Sequence, residues 1–222
     1  MTRIYLDHSA TTPVRPEVLD AMLPFLRDTY GNAGSIHRFG REARRAVDDA
    51  RDQVAALINA DPRAIVFTSG GTESDNLAVL GAVAADRRAR RRIVVSAVEH
   101  HAVLDAAEYS RKHDGTDVVI VGVDSDGLVD LNEIAAAIND HTALVSVMHG
   151  NNETGTIQPV DRIAELCADR GVIFHCDTVQ SVGKVPIDVA KWPVGMLAIS
   201  GHKIYAPKGV GACYVRNGVK IE

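Results

Sequence analysis

The sequence has few cysteines, no long apolar run and no excess of basic residues, and each of these absences excludes a class of protein. Its three cysteines, Cys167, Cys176 and Cys213, lack the spacing of a metal or redox motif, which fits a reducing compartment. No apolar stretch is long enough to span a bilayer, and the opening residues MTRIYLDHSATT lack the pattern of a signal peptide. We therefore expect a cytoplasmic globular protein that does not enter a membrane.

The charge balance excludes nucleic acid and anionic membranes as general partners. The net charge is −5, from 24 basic and 29 acidic residues, so the chain has no general attraction to polyanions. The one strongly basic stretch, DRRARRR at 86–92, follows a helical pattern. Arginines at a helix C-terminus complement its dipole, so this stretch is predicted to be a solvated helix end rather than a binding patch.

Short apolar runs alternate with helical patterns along almost the whole chain. Nearly unbroken apolar runs, typical of strands buried on both faces of a largely parallel sheet, lie at 64–69, 92–97, 117–123, 142–149, 171–177 and 195–200. Helical patterns lie between them, at 40–59, 72–85, 101–113, 130–139 and 160–170, and a last strand is expected near the C-terminus. No repeat or linker interrupts the alternation. The pattern predicts a three-layer α/β/α domain with helices on both faces of a mostly parallel sheet.

Polar residues follow these runs, at the edge of the sheet where ligands of such folds gather. The stretch GGTESDN opens a helix directly after a strand, which suits either an anion site or an ordinary helix start capped by Ser69 or Thr72. His100 and His101 follow the next run. At most one of them can face the crevice, and a surface pair is the commoner arrangement. The asparagines of GNNETG form either a plain turn or a pair of amide donors.

Two further strand ends carry ionisable side chains. Asp177 ends the run GVIFHCD on the same strand face as His175, and a buried carboxylate there needs a partner. Cys176 points to the opposite face, so these three neighbours cannot bind one metal ion and no metal site is predicted. Lys203 lies in the glycine-marked loop SGHKIYAPKG. An anion-binding helix start, amide donors, a buried aspartate and a loop lysine together suit pyridoxal phosphate, which is bound as a Schiff base to lysine with an acidic partner on its ring nitrogen.

The order of several motifs matches one known family. The motifs are YLDHSATTP, FGNAGSIHRFGREAR, VFTSGGTESDNLA, VEHHAVL, SVMHGNNETGTIQP, HCDTVQSVGKVPID and SGHKIYAPKGVGACYVR. Together they resemble the cysteine desulfurase family, in the class V aminotransferase-like group of fold-type I pyridoxal-phosphate enzymes. The resemblance implies an N-terminal arm at 1–15 near the active site and a cofactor-binding large domain at 16–222. It also implies a C-terminal small domain that these residues do not include.

The resemblance also implies a role for each matching residue. Lys203 would bind the cofactor covalently, and His100 would stack on its ring and assist proton transfer, so these two are the implied catalytic residues. Asp177 would keep the ring nitrogen protonated. The other implied cofactor contacts are Asn152 and Gln180 near the phenolic oxygen, and Gly71, Thr72, Ser200 and His202 around the phosphate.

The implied reaction converts L-cysteine to L-alanine and passes sulfur to an enzyme cysteine, for iron–sulfur cluster or thio-cofactor assembly. The implied partners are a second copy in a homodimer and an iron–sulfur scaffold or another sulfur-acceptor protein. The family's sulfur-accepting cysteine and carboxylate-binding arginine have no counterpart up to Glu222, so we expect a truncated chain that is inactive alone. Two alternatives stay open: a selenocysteine lyase or aminotransferase of the same fold, and a non-catalytic or split cofactor-binding module that lacks the sulfur-accepting cysteine.

Overall fold

The computed structural model describes residues 4–86 and 88–222, which form six α-helices and seven strands. The helices are α1 (Pro16–Arg27), α2 (Arg38–Leu57), α3 (Gly71–Ala84), α4 (His101–Asp114), α5 (Leu131–Ala137) and α6 (Val160–Asp169). The strands are β1 (Ile65–Thr68), β2 (Arg92–Ser96), β3 (Asp117–Val121), β4 (Thr142–Ser146), β5 (Ile173–Asp177), β6 (Met196–Ser200) and β7 (Gly211–Val215). All of the predicted strands and helices are present; α1 was not predicted. No helix in the two described ranges is long and apolar enough to cross a membrane.

The seven strands form one mostly parallel sheet in the order β1-β7-β6-β5-β4-β2-β3. Strands β6, β5, β4, β2 and β3 run parallel to one another, and β7 runs antiparallel to both β6 and β1. Since β7 is reversed against both neighbours, β1 and β6 point in the same direction. The carboxyl ends of β1, β2, β4, β5 and β6 therefore meet at one edge of the sheet.

Helices cover both faces of the sheet. Side chains from α3 and α4 pack with Ile93 and Val95 of β2, whereas Val94 of the same strand packs on the opposite face with residues from the C-terminal end of α2 and from α5 and α6. Alternate side chains of one strand thus enter two separate cores, as strand geometry requires. The predicted three-layer architecture is confirmed.

The outer elements are more exposed than the sequence pattern suggested. Val66 in β1 is 40% exposed and Ile120 in β3 is 61% exposed, so burial on both faces was a wrong prediction for the two edge strands. An edge strand lacks the neighbouring elements that would cover its outer side. Helix α1 has no buried residue, and the apolar stripe predicted along α2 leaves Val47 36% and Leu57 45% exposed.

The basic stretch at 86–92 is less solvated than predicted. The Arg90 Nε lies 2.7 Å from the Asp86 carboxylate, with only 13% and 4% of the two side chains exposed. Arg90 also donates to the Gly171 carbonyl at 3.0 Å, and Arg92 lies 2.7 Å from Asp117. Arg87, which belongs to the same stretch, lies outside the described residues. The prediction of a solvated helix end is therefore wrong for Arg90, because the Asp86 carboxylate and the Gly171 carbonyl accept hydrogen bonds from its guanidinium.

Gly211 sets how closely β7 approaches the turn before α3. A Cβ at this position would lie 2.6 Å from both the Gly70 Cα and the Ile199 carbonyl oxygen. We expect Gly211→Ala to lower the free energy of unfolding by roughly 1–3 kcal/mol, as overpacking does, measured by urea unfolding. Gly122→Ala is the control, because a Cβ there would meet nothing within 4 Å. Equal unfolding midpoints for the two variants would contradict this account.

Candidate functional site

A cavity of about 270 Å³ opens at the edge where the strand carboxyl ends meet. This volume is just below the ~300–1,000 Å³ typical of small-molecule sites. Its lining includes all nine residues singled out from the sequence: Gly71, Thr72, His100, Asn152, Asp177, Gln180, Ser200, His202 and Lys203. Ala10, Asp75, Met148 and Val179 complete it. Five strand ends thus bring these side chains to one place.

The start of α3 forms one wall of the cavity. Its N-cap is Gly70, no side chain caps it, and the first intrahelical bond runs from Ser74 N–H to the Gly70 carbonyl at 3.1 Å. The capping by Ser69 or Thr72 that an ordinary helix start would show is therefore absent. A Cβ at Gly71 would lie 2.7 Å from Val179 Cγ2, so the backbone itself faces the cavity. Uncapped N–H groups at the positive end of a helix form an anion site.

Lys203 lines the cavity from a short 3₁₀ turn directly after β6. Its ammonium donates to the carbonyl oxygens of Ser9 and Ala10, the latter at 2.9 Å. Burial, followed by the nearby charge of Lys184, lowers the pKa of Lys203. Partial removal from water and a second cation are the two conditions that make a lysine amine available as a nucleophile.

The N-terminal segment around residues 9–12 holds the Lys203 loop in place. Both the backbone N–H and the hydroxyl of Thr12 donate to the His202 carbonyl at 2.9 Å. The amide of Gln180 donates to the Ser9 carbonyl at 2.8 Å, which is also an acceptor for Lys203. The predicted N-terminal arm includes residues 1–3, which lie outside the described residues.

Asp177 is the buried acid of the site. It ends β5 with 4% exposure, and its Oδ1 accepts the Val179 N–H at 2.8 Å. Within the described residues no donor reaches its other carboxylate oxygen. Burial, and after it the Asp75 carboxyl, raises the pKa of Asp177 to about 7, although the Val179 N–H and the rings of His175 and His100 oppose the increase. A cation in the cavity would stabilise the ionised form.

The loops after β2 and β4 present one histidine and one asparagine. His100 is the N-cap of α4, where its Nδ1 accepts the Ala102 N–H at 3.1 Å, and His101 points away from the cavity into solvent. Asn151 joins the two loops, because its amide nitrogen donates to the Val98 carbonyl at 3.1 Å while its oxygen accepts backbone N–H groups of its own turn. Asn152, next in sequence, lines the cavity.

Comparison with known proteins places this arrangement in a family. Residues 4–222 match the family model described as aminotransferase class-V. The chain belongs to the aminotransferase class-V family. It is similar to the cysteine desulfurases IscS of Salmonella paratyphi B and Salmonella newport, at 51% identity over 221 residues in each case. These residues are 98% of this chain and 54% of each relative, so the chain spans about half the length of the curated relatives it matches.

Solved structures of related proteins share the fold. A NifS-like protein has a TM-score of 0.95 at 39% identity, over 100% of this chain and 61% of that chain. SspA in complex with cysteine has a TM-score of 0.93 at 36% identity, over 97% of this chain and 62% of that chain. The fold class and the resemblance that the motifs predicted are confirmed. The roles of individual residues stay predictions.

The three cysteines of this aminotransferase class-V chain are all buried and unpaired by disulfides. Burial raises the pKa of Cys167 and Cys213 to about 12 and that of Cys176 well above its ordinary value. Because the thiolate is the reactive form, we expect no thiol to react with Ellman's reagent in the native protein and three to react in guanidinium. Rapid labelling of one thiol under native conditions would contradict this burial.

Sequence reasoning missed two polar features of the class-V site. Asp75 lines the cavity from α3. The buried Glu99 accepts from the Ser96 hydroxyl at 2.6 Å and from the N–H of Met148, another lining residue, at 2.7 Å. Helical spacing could have located Asp75, since residues i and i+4 share a face and Gly71 is four residues earlier. No group of three or more histidine, cysteine or acidic side chains within 4–86 and 88–222 is arranged to hold a metal ion.

Proposed function

We propose that this chain is the cofactor-binding part of a pyridoxal-phosphate-dependent cysteine desulfurase. The observation that carries the proposal is the cavity itself, which joins an uncapped helix start, a lysine amine and a buried aspartate. These three groups match a phosphate, an aldehyde and a ring nitrogen. The similarity to proteins named cysteine desulfurase supports the choice of reaction.

The residues of the cavity fit the cofactor at both ends. A side chain at Gly71 would contact Val179 and Ser200, so only glycine leaves room for a phosphate against the α3 backbone. Asp177 is buried with one oxygen unpaired within the described residues, which suits a protonated ring nitrogen. Gly71, Thr72, Ser200 and His202 would hold the phosphate, and Asn152 and Gln180 would lie beside the ring. Bound pyridoxal phosphate supplies an aldehyde for attachment to lysine and an electron sink for a substrate carbanion.

The chain's own residues supply binding and proton transfer. Lys203 Nζ has a lowered pKa, so more of it is present as the neutral amine that can bond to an aldehyde or accept a proton. In neutral His100 the proton lies on Nε2, because Nδ1 accepts the Ala102 N–H. The Nε2 atom is thus the proton-carrying position of this ring. Asp177 would hold its negative charge against the ring nitrogen of the cofactor.

The substrate and partners follow from the same proposal. We assign L-cysteine as the substrate, with L-alanine as product and sulfur passed to an enzyme cysteine for iron–sulfur cluster or thio-cofactor assembly. SspA, which this chain resembles at 36% identity, has been solved in complex with cysteine. The proposal includes a homodimer, an iron–sulfur scaffold or other sulfur-acceptor protein as partner, and a cytoplasmic location.

Asp177→Asn tests the cofactor assignment. An amide cannot form a charge-assisted bond to a protonated ring nitrogen, so we expect the dissociation constant for pyridoxal phosphate to rise roughly ten- to hundred-fold and the visible spectrum to shift. The measurement is an absorbance titration of the cofactor-free protein. Asp169→Asn, on the exposed end of α6, is the control. Identical titrations for the two variants would remove Asp177 from the proposed role.

A further inference from the structure

Three buried acidic groups lie in or next to the wall of the cavity. Asp75, Glu99 and Asp177 are at most 6% exposed, and His175 is fully buried among them. Within the described residues, His175 is the only side chain that forms an ion-pair contact with any of these three carboxyls. Three ionised carboxylates at this depth would repel one another without a compensating cation. A proton on one of them would relieve this repulsion in the cofactor-free protein.

One contact indicates that Asp75 holds a proton. The Oδ1 atom of Asp75 lies 3.4 Å from His175 Nε2, with 2% and 0% of the two side chains exposed. Both atoms are otherwise without a hydrogen-bond partner. The other nitrogen of the ring, Nδ1, lies 2.9 Å from the Ser146 hydroxyl. Two buried polar atoms that face each other and have no other partner need one proton between them.

We infer that Asp75 is a positioning residue of the cofactor site. Its carboxyl keeps a proton and donates it in a hydrogen bond to His175 Nε2. Asp177 then remains the anion in the wall of the cavity. The place of Asp75 in cofactor binding rests on the proposed function, but its protonation state does not. His175 is then neutral, with its own proton on Nδ1 and donated to the Ser146 oxygen. The chain Asp75–His175–Ser146 carries no net charge.

The surroundings favour this arrangement over the two alternatives. An ionised Asp75 beside a neutral His175 would add a negative charge next to Asp177 and Glu99. A protonated His175 would place a cation in a fully buried site; burial lowers the pKa of His175 to about 4 and raises that of Asp75 to about 8. The neutral pair avoids both costs. It also spares Asp177 the repulsion that would weaken its hold on a ring cation.

The tautomer of His175 distinguishes the alternatives in the cofactor-free protein. We expect ¹⁵N NMR of histidine-labelled protein at pH 7 to show His175 with a proton on Nδ1 and a bare, accepting Nε2. The signals of His175 are assigned by their loss in His175→Gln. If His175→Gln does not fold, Ser146→Ala assigns them instead, because it perturbs only the Nδ1 side of the ring. A proton on Nε2 of His175 would overturn the inference, because Nε2 could then not accept a hydrogen bond from the Asp75 carboxyl.

Variants of Asp75 test its link to the cofactor. In Asp75→Ala the donor is lost, so we expect the His175 tautomer to become mixed and cofactor affinity to fall about tenfold. Asp75→Asn offers a neutral N–H donor in the same place, so it is expected to restore the wild-type tautomer and most of the affinity. If asparagine instead reverses the tautomer or behaves like alanine, Asp75 is not the proton donor. Wild-type protein that shows the expected tautomer but fails to bind pyridoxal phosphate would reject the proposed function and leave the protonation state standing.

Discussion

Replacing Lys203 with alanine is expected to abolish the visible absorption that pyridoxal phosphate develops on the wild-type protein. Lys203 is the only lysine that lines the cavity within the described residues, so no other amine is placed to bond to the cofactor's aldehyde. The fold should persist, because the ammonium contacts only the Ser9 and Ala10 carbonyls at the surface of the site. Absorbance spectra and circular dichroism of the two proteins measure both parts of this expectation.

Two matched variants separate covalent attachment from charge. Lys208→Ala removes an exposed lysine from the same loop and should leave the absorption intact. Lys203→Arg keeps a cation near the Ser9 and Ala10 carbonyls but offers no amine for attachment, so it should behave like Lys203→Ala. Visible absorption retained by both Lys203 variants would show that the cofactor attaches elsewhere.

The 222-residue chain, produced alone, is expected to bind pyridoxal phosphate without releasing sulfide from L-cysteine over repeated turnovers. Its three thiols are buried, with pKa values raised far above neutral, so none is available to accept sulfur. The resemblance assigns the sulfur-accepting cysteine and the carboxylate-binding arginine to a segment that is not among these residues. Loss of a single positioned group typically costs roughly a hundred- to a thousand-fold in rate, and two roles are missing here.

An anaerobic assay with cofactor, L-cysteine and a thiol reductant measures this outcome. We expect less than one sulfide per chain. The visible absorbance of the bound cofactor, recorded on the same sample, shows that binding has occurred. Multiple turnovers would contradict the account. Replacing the three cysteines one at a time would then identify the acceptor.

Much of the site could be predicted because it follows the strands. Each apolar run was long enough to identify a strand, and parallel strands bring their carboxyl ends to one edge. That rule alone was enough to predict that Gly71, His100, Asn152, Asp177 and Lys203 lie close together, and they line one cavity. The residue roles came from the resemblance, not from the geometry.

The features that were missed depend on contacts between distant parts of the chain. Asp75 lies inside a helix, where no strand end marks it, and its contact with His175 exists only once α3 packs on β5. The start of α3 is uncapped because its N-cap, Gly70, has no side chain, but the close approach of Val179 and Ser200 to Gly71 is a contact that no local pattern shows. Helix α1 was missed; it contains Pro24, a residue that usually ends a helix, and none of its residues is buried.

The proposal that Lys203 binds pyridoxal phosphate is tested most directly by finding which lysine carries the cofactor. The protein is incubated with pyridoxal phosphate, reduced with borohydride, digested and mapped by mass spectrometry. We expect a phosphopyridoxyl group on Lys203, in the peptide that contains SGHKIYAPK. Modification of another lysine, with Lys203 unlabelled, would contradict it.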